Sequence, residues 1–210
     1  MLMNKEKIKR LKQNAEIEFT EKKSVFIGFS AIVKNEEEAL EIIKSRKKQF
    51  FDAKHNVYAY VIGDGTLARY SDDSEPQGTA GMPVLNAIKM SGLTDVCVVV
   101  TRYFGGILLG AGGLVRAYST AASMALEAGG VAVFEKYLEI ECQCSYSEYQ
   151  KMQIILTDFD VLIDNVEYLS EVNIKFALPN DKYSAFENHI TETFSAKLKL
   201  NVIGERLDSK

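Results

Sequence analysis

Apolar and polar positions alternate along AEIEF (15–19), and aromatic and β-branched residues are dense in SVFIGFSAIV (24–33), with Lys22 and Lys23 between them at a turn, so the stretch predicts two strands. The period then changes. EEEALEIIKSRKKQF (36–50) carries apolar residues at Ala39, Leu40, Ile42, Ile43 and Phe50, with acids first and bases last, a helix whose charges complement its dipole. Asn35 followed by Glu38 resembles a capping box at its start. Strand patterns return in HNVYAYVIG (55–63) and TLARYSD (66–72), on either side of the hairpin signal Gly63-Asp64-Gly65. Helices are predicted for MPVLNAIKM, with Pro83 tolerated in the first turn and Gly92 beyond the end, and for LVRAYSTAASMALEA, ended by Gly129-Gly130. Between them VCVVV (96–100) is apolar throughout and reads as a strand buried on both faces. Two strand-like runs on either side of Lys136 follow.

The last third repeats a simpler rhythm. YLEIECQC is a strand, SEYQKMQIILTDF a helix, VLIDNVEYL and EVNIKFAL two strands, DKYSAFENHITETF a helix and KLKLNVIGERL a strand. The order β-α-β-β-α-β is the split pattern of the ferredoxin-like fold. We therefore expect an α+β protein of two domains, 1–136 and 137–210, joined near 135–138 without a flexible linker.

Charge changes this picture more than bulk composition does. The net −4 divides into 18 basic against 16 acidic residues in 1–136, a net of +2, and 7 against 13 in 137–210, a net of −6. Only the first domain is suited to a polyanion. Its bases cluster in KEKIKRLK (5–12) and KSRKKQFFDAK (44–54), where a solvated helix face is the plainer reading. No run approaches the roughly 20 apolar residues of a membrane span, and the start lacks a leader's apolar block, so a soluble, cytoplasmic protein is expected. Three cysteines, Cys97, Cys142 and Cys144, and two histidines, His55 and His189, supply neither a disulfide framework nor a metal-ligand set. Cys97, inside an apolar run, is expected to be inert, and no cofactor is expected.

The richest chemistry lies in VCVVVTRYFGGILLGAGGLVRAYS (96–119). A buried strand delivers Arg102 to its end, after which Gly105, Gly106, Gly110, Gly112 and Gly113 form a loop that empties into a helix. Glycines permit positive φ and let amide groups, here those of Gly112 to Leu114, converge with a helix start, which favours an anion such as phosphate; Arg102 and Arg116 would supply charge. The spacing matches neither a Walker loop nor a dinucleotide fingerprint, since Val115 stands at the third glycine position. Tight packing of loop against sheet is the alternative. Tyr103-Phe104 could stack on bases or anchor the loop.

These residues resemble the YigZ/IMPACT family. The likeness runs through Gly81, Val84-Leu85, Ile88, Leu93, Val99-Val100, TRYFGG (101–106), Leu109 and Gly110, and extends to KKSVFIG (22–28), AKHNVYAY (53–60) and DDSEPQGTAG (72–81). Ser74 stands where members usually carry glycine, which draws attention to the backbone angle there. The resemblance implies a first domain folded like a small-subunit ribosomal protein and domain IV of elongation factor G, then a second like elongation factor G domain V. It also implies a role in translation, because similar eukaryotic proteins restrain the amino-acid-starvation kinase pathway and so act on initiation. Those relatives carry an extra partner-binding domain that this chain lacks, so RNA, the ribosome or a translation-related protein is the expected partner.

The acidic loop 72–75 has two readings. Asp72, Asp73 or Glu75 pairs with Arg102 or Arg69 and fixes a structural corner. Alternatively His55, Asp73 and Glu75 line a cleft as base and acids beside the glycine segment, a hydrolase-like constellation acting on a phosphorylated or peptide substrate. No catalytic residue is expected on the first reading.

Overall fold

The structure, a computed structural model, describes residues 7–63 and 65–209. It divides into two compact units, 8–133 and 134–209, the latter taking in Lys7. The residues Lys5, Glu6 and Asp64, which figure in the basic stretch and the hairpin signal above, lie outside the described residues.

In the first unit, β1 (Lys7–Leu11) precedes β2 (Ala15–Glu21), β3 (Ser24–Ile32), α1 (Glu36–Gln49), β4 (His55–Ile62), β5 (Leu67–Ser71), α2 (Gly81–Ser91), β6 (Val96–Tyr103) and α3 (Gly110–Gly129). The basic stretch is thus a strand from Lys7 onward rather than a helix face: Leu11 sinks into the core and Arg10 pairs with Asp95 at 2.6 Å. Five strands form an antiparallel sheet in the order β2-β3-β6-β4-β5. Lys22 and Lys23, both at positive φ, make the two-residue turn between β2 and β3.

Period-two alternation decides what each face of the sheet receives. Val57, Val98, Val100 and Phe26 join Val84, Ile88, Leu114, Tyr118 and Ala121 in a core beneath α2 and α3. Tyr60, Ile62, Cys97 and Val99 join Ala39 and Ile43 of α1 in a second core on the other face. Because β6 lies between these layers, Val96 to Val100 are buried as their apolar run predicts, and Thr101 and Arg102 are buried with their polar groups bonded to Asn56 and Glu75. Asn35 caps α1 by accepting from the Glu38 amide at 2.9 Å, and Glu38 accepts in return from the amide of Lys34. Leu40, counted on the apolar face of α1, is exposed.

Two predicted details differ. The helix α3 starts at Gly110, so Gly110, Gly112 and Gly113 form its first turn instead of a preceding loop. Residues 131–144 make one strand, β7 (Val131–Cys144), where two runs were expected around Lys136; alternation continues through that residue without a turn former.

In the second unit, β7 is followed by α4 (Tyr146–Asp158), β8 (Leu162–Tyr168), β9 (Val172–Pro179), α5 (Tyr183–Thr193) and β10 (Leu200–Ser209). Its strands pair antiparallel in the order β10-β7-β9-β8, the arrangement of a ferredoxin-like βαββαβ unit. Ser145 and Glu148 close a reciprocal capping box at α4. Ile140, Cys142, Ile174 and Phe176 of the sheet meet Met152, Leu156, Phe186 and Ile190 of the helices in one core. No helix among the described residues is long and apolar enough to cross a membrane.

Candidate functional site at the end of β6

The register of the first sheet places Arg102 of β6 across from His55 of β4 on one side and Phe26 of β3 on the other. All three share the face covered by α2 and α3 because Arg102 continues the alternation of Val98 and Val100. Arg102 is 5% exposed, and its Nη1 donates to Glu75 Oε1 at 2.6 Å. The buried Tyr118 hydroxyl donates to the same oxygen at 2.8 Å, and His55 Nε2 lies 3.7 Å from it. Burial, followed by the charge of Glu75, pushes the Tyr118 hydroxyl far above the usual phenol range, so it stays a donor. The second arm of Arg102, Nη2, reaches Ser24 Oγ at 3.4 Å.

The acidic loop is spent inward as well. Asp72 accepts from the amides of Gly78, Ala80 and Gly81 at 2.8–3.1 Å and so occupies the start of α2 with a negative charge. Asp73 Oδ2 accepts from the Asn56 amide at 2.6 Å, while Oδ1 meets Lys47 Nζ at 2.5 Å. His55 Nδ1 lies 2.8 Å from the main-chain oxygen of Asp73, not from its carboxylate. Thus His55, Asp73 and Glu75 are neighbours, and each is engaged in holding the loop. The structural corner is made by Glu75 and Arg102; Arg69 instead donates to Ala68 O. Ser74 has φ 69°, a left-handed angle that glycine adopts without a Cβ penalty.

The glycine segment separates into parts with different tasks. Gly105 donates to Ser24 Oγ at 3.2 Å, and a Cβ there would lie 2.0 Å from the Lys23 carbonyl group, so this glycine is demanded by close packing. Gly106 and Gly110, at φ 82° and 70°, turn the chain in open space. Gly113 packs on Leu109, and Leu114 is buried. A helix that begins at Gly110 leaves amides without intrahelical acceptors up to Gly112, so Gly113 and Leu114 contribute packing rather than free donors. The first turn of α3 has no acidic residue and no side-chain cap. Over it lies exposed Arg116, whose Nη1 is 3.6 Å from where a Gly112 Cβ would stand.

The structure therefore brings Gly110, Gly112 and Arg116 together on the surface and holds Arg102 within the fold. The Gly105–Arg116 segment and the Lys22-Lys23 turn against it form a rim, while the bases of α1 stand on the other face of the sheet. Lys22, Lys23, Lys44, Lys48 and Lys54 are exposed. Arg46, counted in the basic face 44–54, is instead buried, its guanidinium 4.5 Å from the ring centroids of both Phe29 and Phe50 and paired with Glu16 at 2.6 Å. Tyr103 donates to Asp52 at 2.8 Å, whereas Phe104 is 48% exposed with the Arg102 guanidinium 5.6 Å from its ring centroid. Ser24 and the Lys22-Lys23 turn were not singled out as part of a site; no local pattern marks them, because only sheet register brings them beside Arg102 and Gly105.

Residues 22–126 match the Impact N-terminal domain, and residues 142–197 match a domain of unknown function, DUF1949. The chain is similar to the IMPACT family member YvyE of Bacillus subtilis, 38% identical over 188 residues that cover 89% of this chain and 87% of that protein. It is also similar to the IMPACT family member YigZ of Escherichia coli, at 35% identity over 88% of this chain and 92% of that one. A solved structure described as that of an hypothetical protein is 33% identical, covers 95% of this chain and 98% of its own, and superposes with a TM-score of 0.60. Matched along both units and over most of the length of these relatives, the chain belongs to the IMPACT family.

Proposed function

We propose that this is a non-enzymatic, translation-associated regulatory protein of the cytoplasm, whose first domain binds RNA, free or within the ribosome, through the Gly105–Arg116 segment. One observation carries the reading. Arg116 lies over an α3 start that has neither an acidic neighbour nor a side-chain cap, while the α2 start is already filled by Asp72. Unpaired amides at a helix start beside a guanidinium favour a phosphate group. The exposed lysines at 22, 23, 44, 48 and 54 add positive charge to the same unit. Arg102 serves this surface indirectly: its pair with Glu75 holds the chain end from which the segment departs. The link to translation comes from the family's eukaryotic members, which act on initiation.

Binding is favoured over catalysis because the three groups of the hydrolase-like reading are bonded to one another's loop or to the core. The test is capture from cell lysate by the immobilised protein at low and high salt, with and without ribonuclease. We expect ribosomal particles or RNA at low salt, lost at high salt, after ribonuclease, and in Arg116→Glu. The same proteins retained at high salt and after ribonuclease would mean a protein partner and overturn the reading.

A further inference from the structure

We infer that the rim takes single-stranded rather than duplex RNA, by stacking an unpaired base on the outer face of Phe104. This rests on the RNA-binding reading above and adds to it the form of the nucleic acid. Phe104 is an exposed aromatic of this rim that the fold backs from within. Its neighbour Gly105 packs so closely on the Lys23 carbonyl that no side chain fits there, and its amide donates to Ser24 Oγ at 3.2 Å. From within, the Arg102 guanidinium faces the ring and is itself fixed by Glu75 at 2.6 Å. The ring is therefore a preformed shelf with one side closed and 48% of the residue open.

The cation behind the ring also selects what lies in front. A second cation gains little from a π face already engaged by a guanidinium, and Lys22, Lys23 and Arg116 repel a basic partner. A neutral, flat, electron-rich nucleobase meets neither penalty. Phosphates on either side of that base find Lys22 and Lys23 next to the shelf and Arg116 beyond the glycine turn. Glu21 and Asp52 are exposed acids of this end of the unit, Asp52 accepting from Tyr103, whereas Asp73 and Glu75 are paired with Lys47 and Arg102. A base paired inside a duplex offers no free face for the shelf, which is why the geometry fits an unpaired strand.

The experiment measures fluorescence anisotropy of a labelled oligouridylate and of an RNA duplex of equal length, with the full chain, Phe104→Ala, Phe104→Tyr and Arg116→Glu, each checked for folding by circular dichroism. The wild type is expected to prefer the single strand. Phe104→Ala should weaken oligouridylate binding by between about fivefold and a hundredfold without changing its salt dependence, and Phe104→Tyr should restore it. Equal or tighter duplex binding, or an unchanged affinity in Phe104→Ala, would overturn the stacking inference while loss of binding in Arg116→Glu left the RNA reading standing. Failure of both RNAs to bind the wild type would overturn both.

Discussion

Glu75 and Arg102 form a buried ion pair, 2.6 Å from Oε1 to Nη1, with side chains only 4% and 6% exposed. The pair joins the loop before α2 to the C-terminal end of the central strand, and Tyr118 of α3 donates to the same carboxylate oxygen. Three elements of the first domain thus depend on one oxygen atom. Removing a single partner strands the other charge in a low-dielectric interior, whereas removing both does not. Arg102→Met is therefore expected to cost about 3–5 kcal/mol in urea denaturation, and the double variant with Glu75→Gln should recover part of that loss. A single-variant cost below about 1 kcal/mol would show that the pair does not hold the corner.

Ser74 adopts φ 69° in that loop, next to Asp73 at φ 43°. A side chain in this region costs about 1 kcal/mol, against which glycine's greater freedom when unfolded partly offsets any gain. Ser74→Gly should raise stability by a few tenths of a kcal/mol to about 1 kcal/mol, seen as a higher denaturation midpoint with an unchanged slope. A lowered midpoint would contradict the strain.

The glycines of the segment should separate by substitution. A methyl group at Gly105 meets backbone at 2.0 Å, so Gly105→Ala is expected to lower the melting temperature sharply. At Gly112 the nearest atom is the flexible end of Arg116 at 3.6 Å, and alanine favours the helix, so Gly112→Ala should be neutral or slightly stabilising. Equal effects at the two positions would refute this division.

Alkaline behaviour follows from the central strand. Burial pushes the Cys97 thiol from 9.0 up to about 12, so in the folded protein it keeps its proton where the unfolded chain loses it. The folded state then binds more protons, and stability present below pH 9 is lost as pH rises towards about 12, by at most about 1.4 kcal/mol per pH unit for this group. Cys97→Ala should reduce that slope between pH 9 and 11, measured by denaturation at each pH; an identical slope would show the thiol to be uninvolved.

Much of the fold was legible because it rests on periodicity. The run Val96–Val100, the aromatic and β-branched density of β3 and β4, and the glycine after α2 each state a local rule that tertiary packing did not override. The β-α-β-β-α-β order was readable for the same reason, and the strand order of the second unit agrees with it. The first turn of α3 reads as loop because glycine is a poor helix former, yet Gly113 lies where a larger residue would press on Leu109. Arg46 reads as part of a solvated face because charge in the last turn of a helix usually is; only the spatial approach of Phe29 and Phe50 makes its burial favourable. The pairing of Glu75 with Arg102 was foreseen as one of several acid–base combinations, and sheet register decided among them.

The central claim is that the surface around Arg116 and the start of α3 meets phosphate. Its most direct test is equilibrium binding of purified ribosomes, or ribosomal RNA, to the wild type and to Arg116→Ala across a series of salt concentrations. We predict that log affinity falls linearly with log salt for the wild type, and that Arg116→Ala binds more weakly with a slope shallower by about one phosphate contact. An affinity indifferent to salt, or identical curves for the two proteins, would contradict the account.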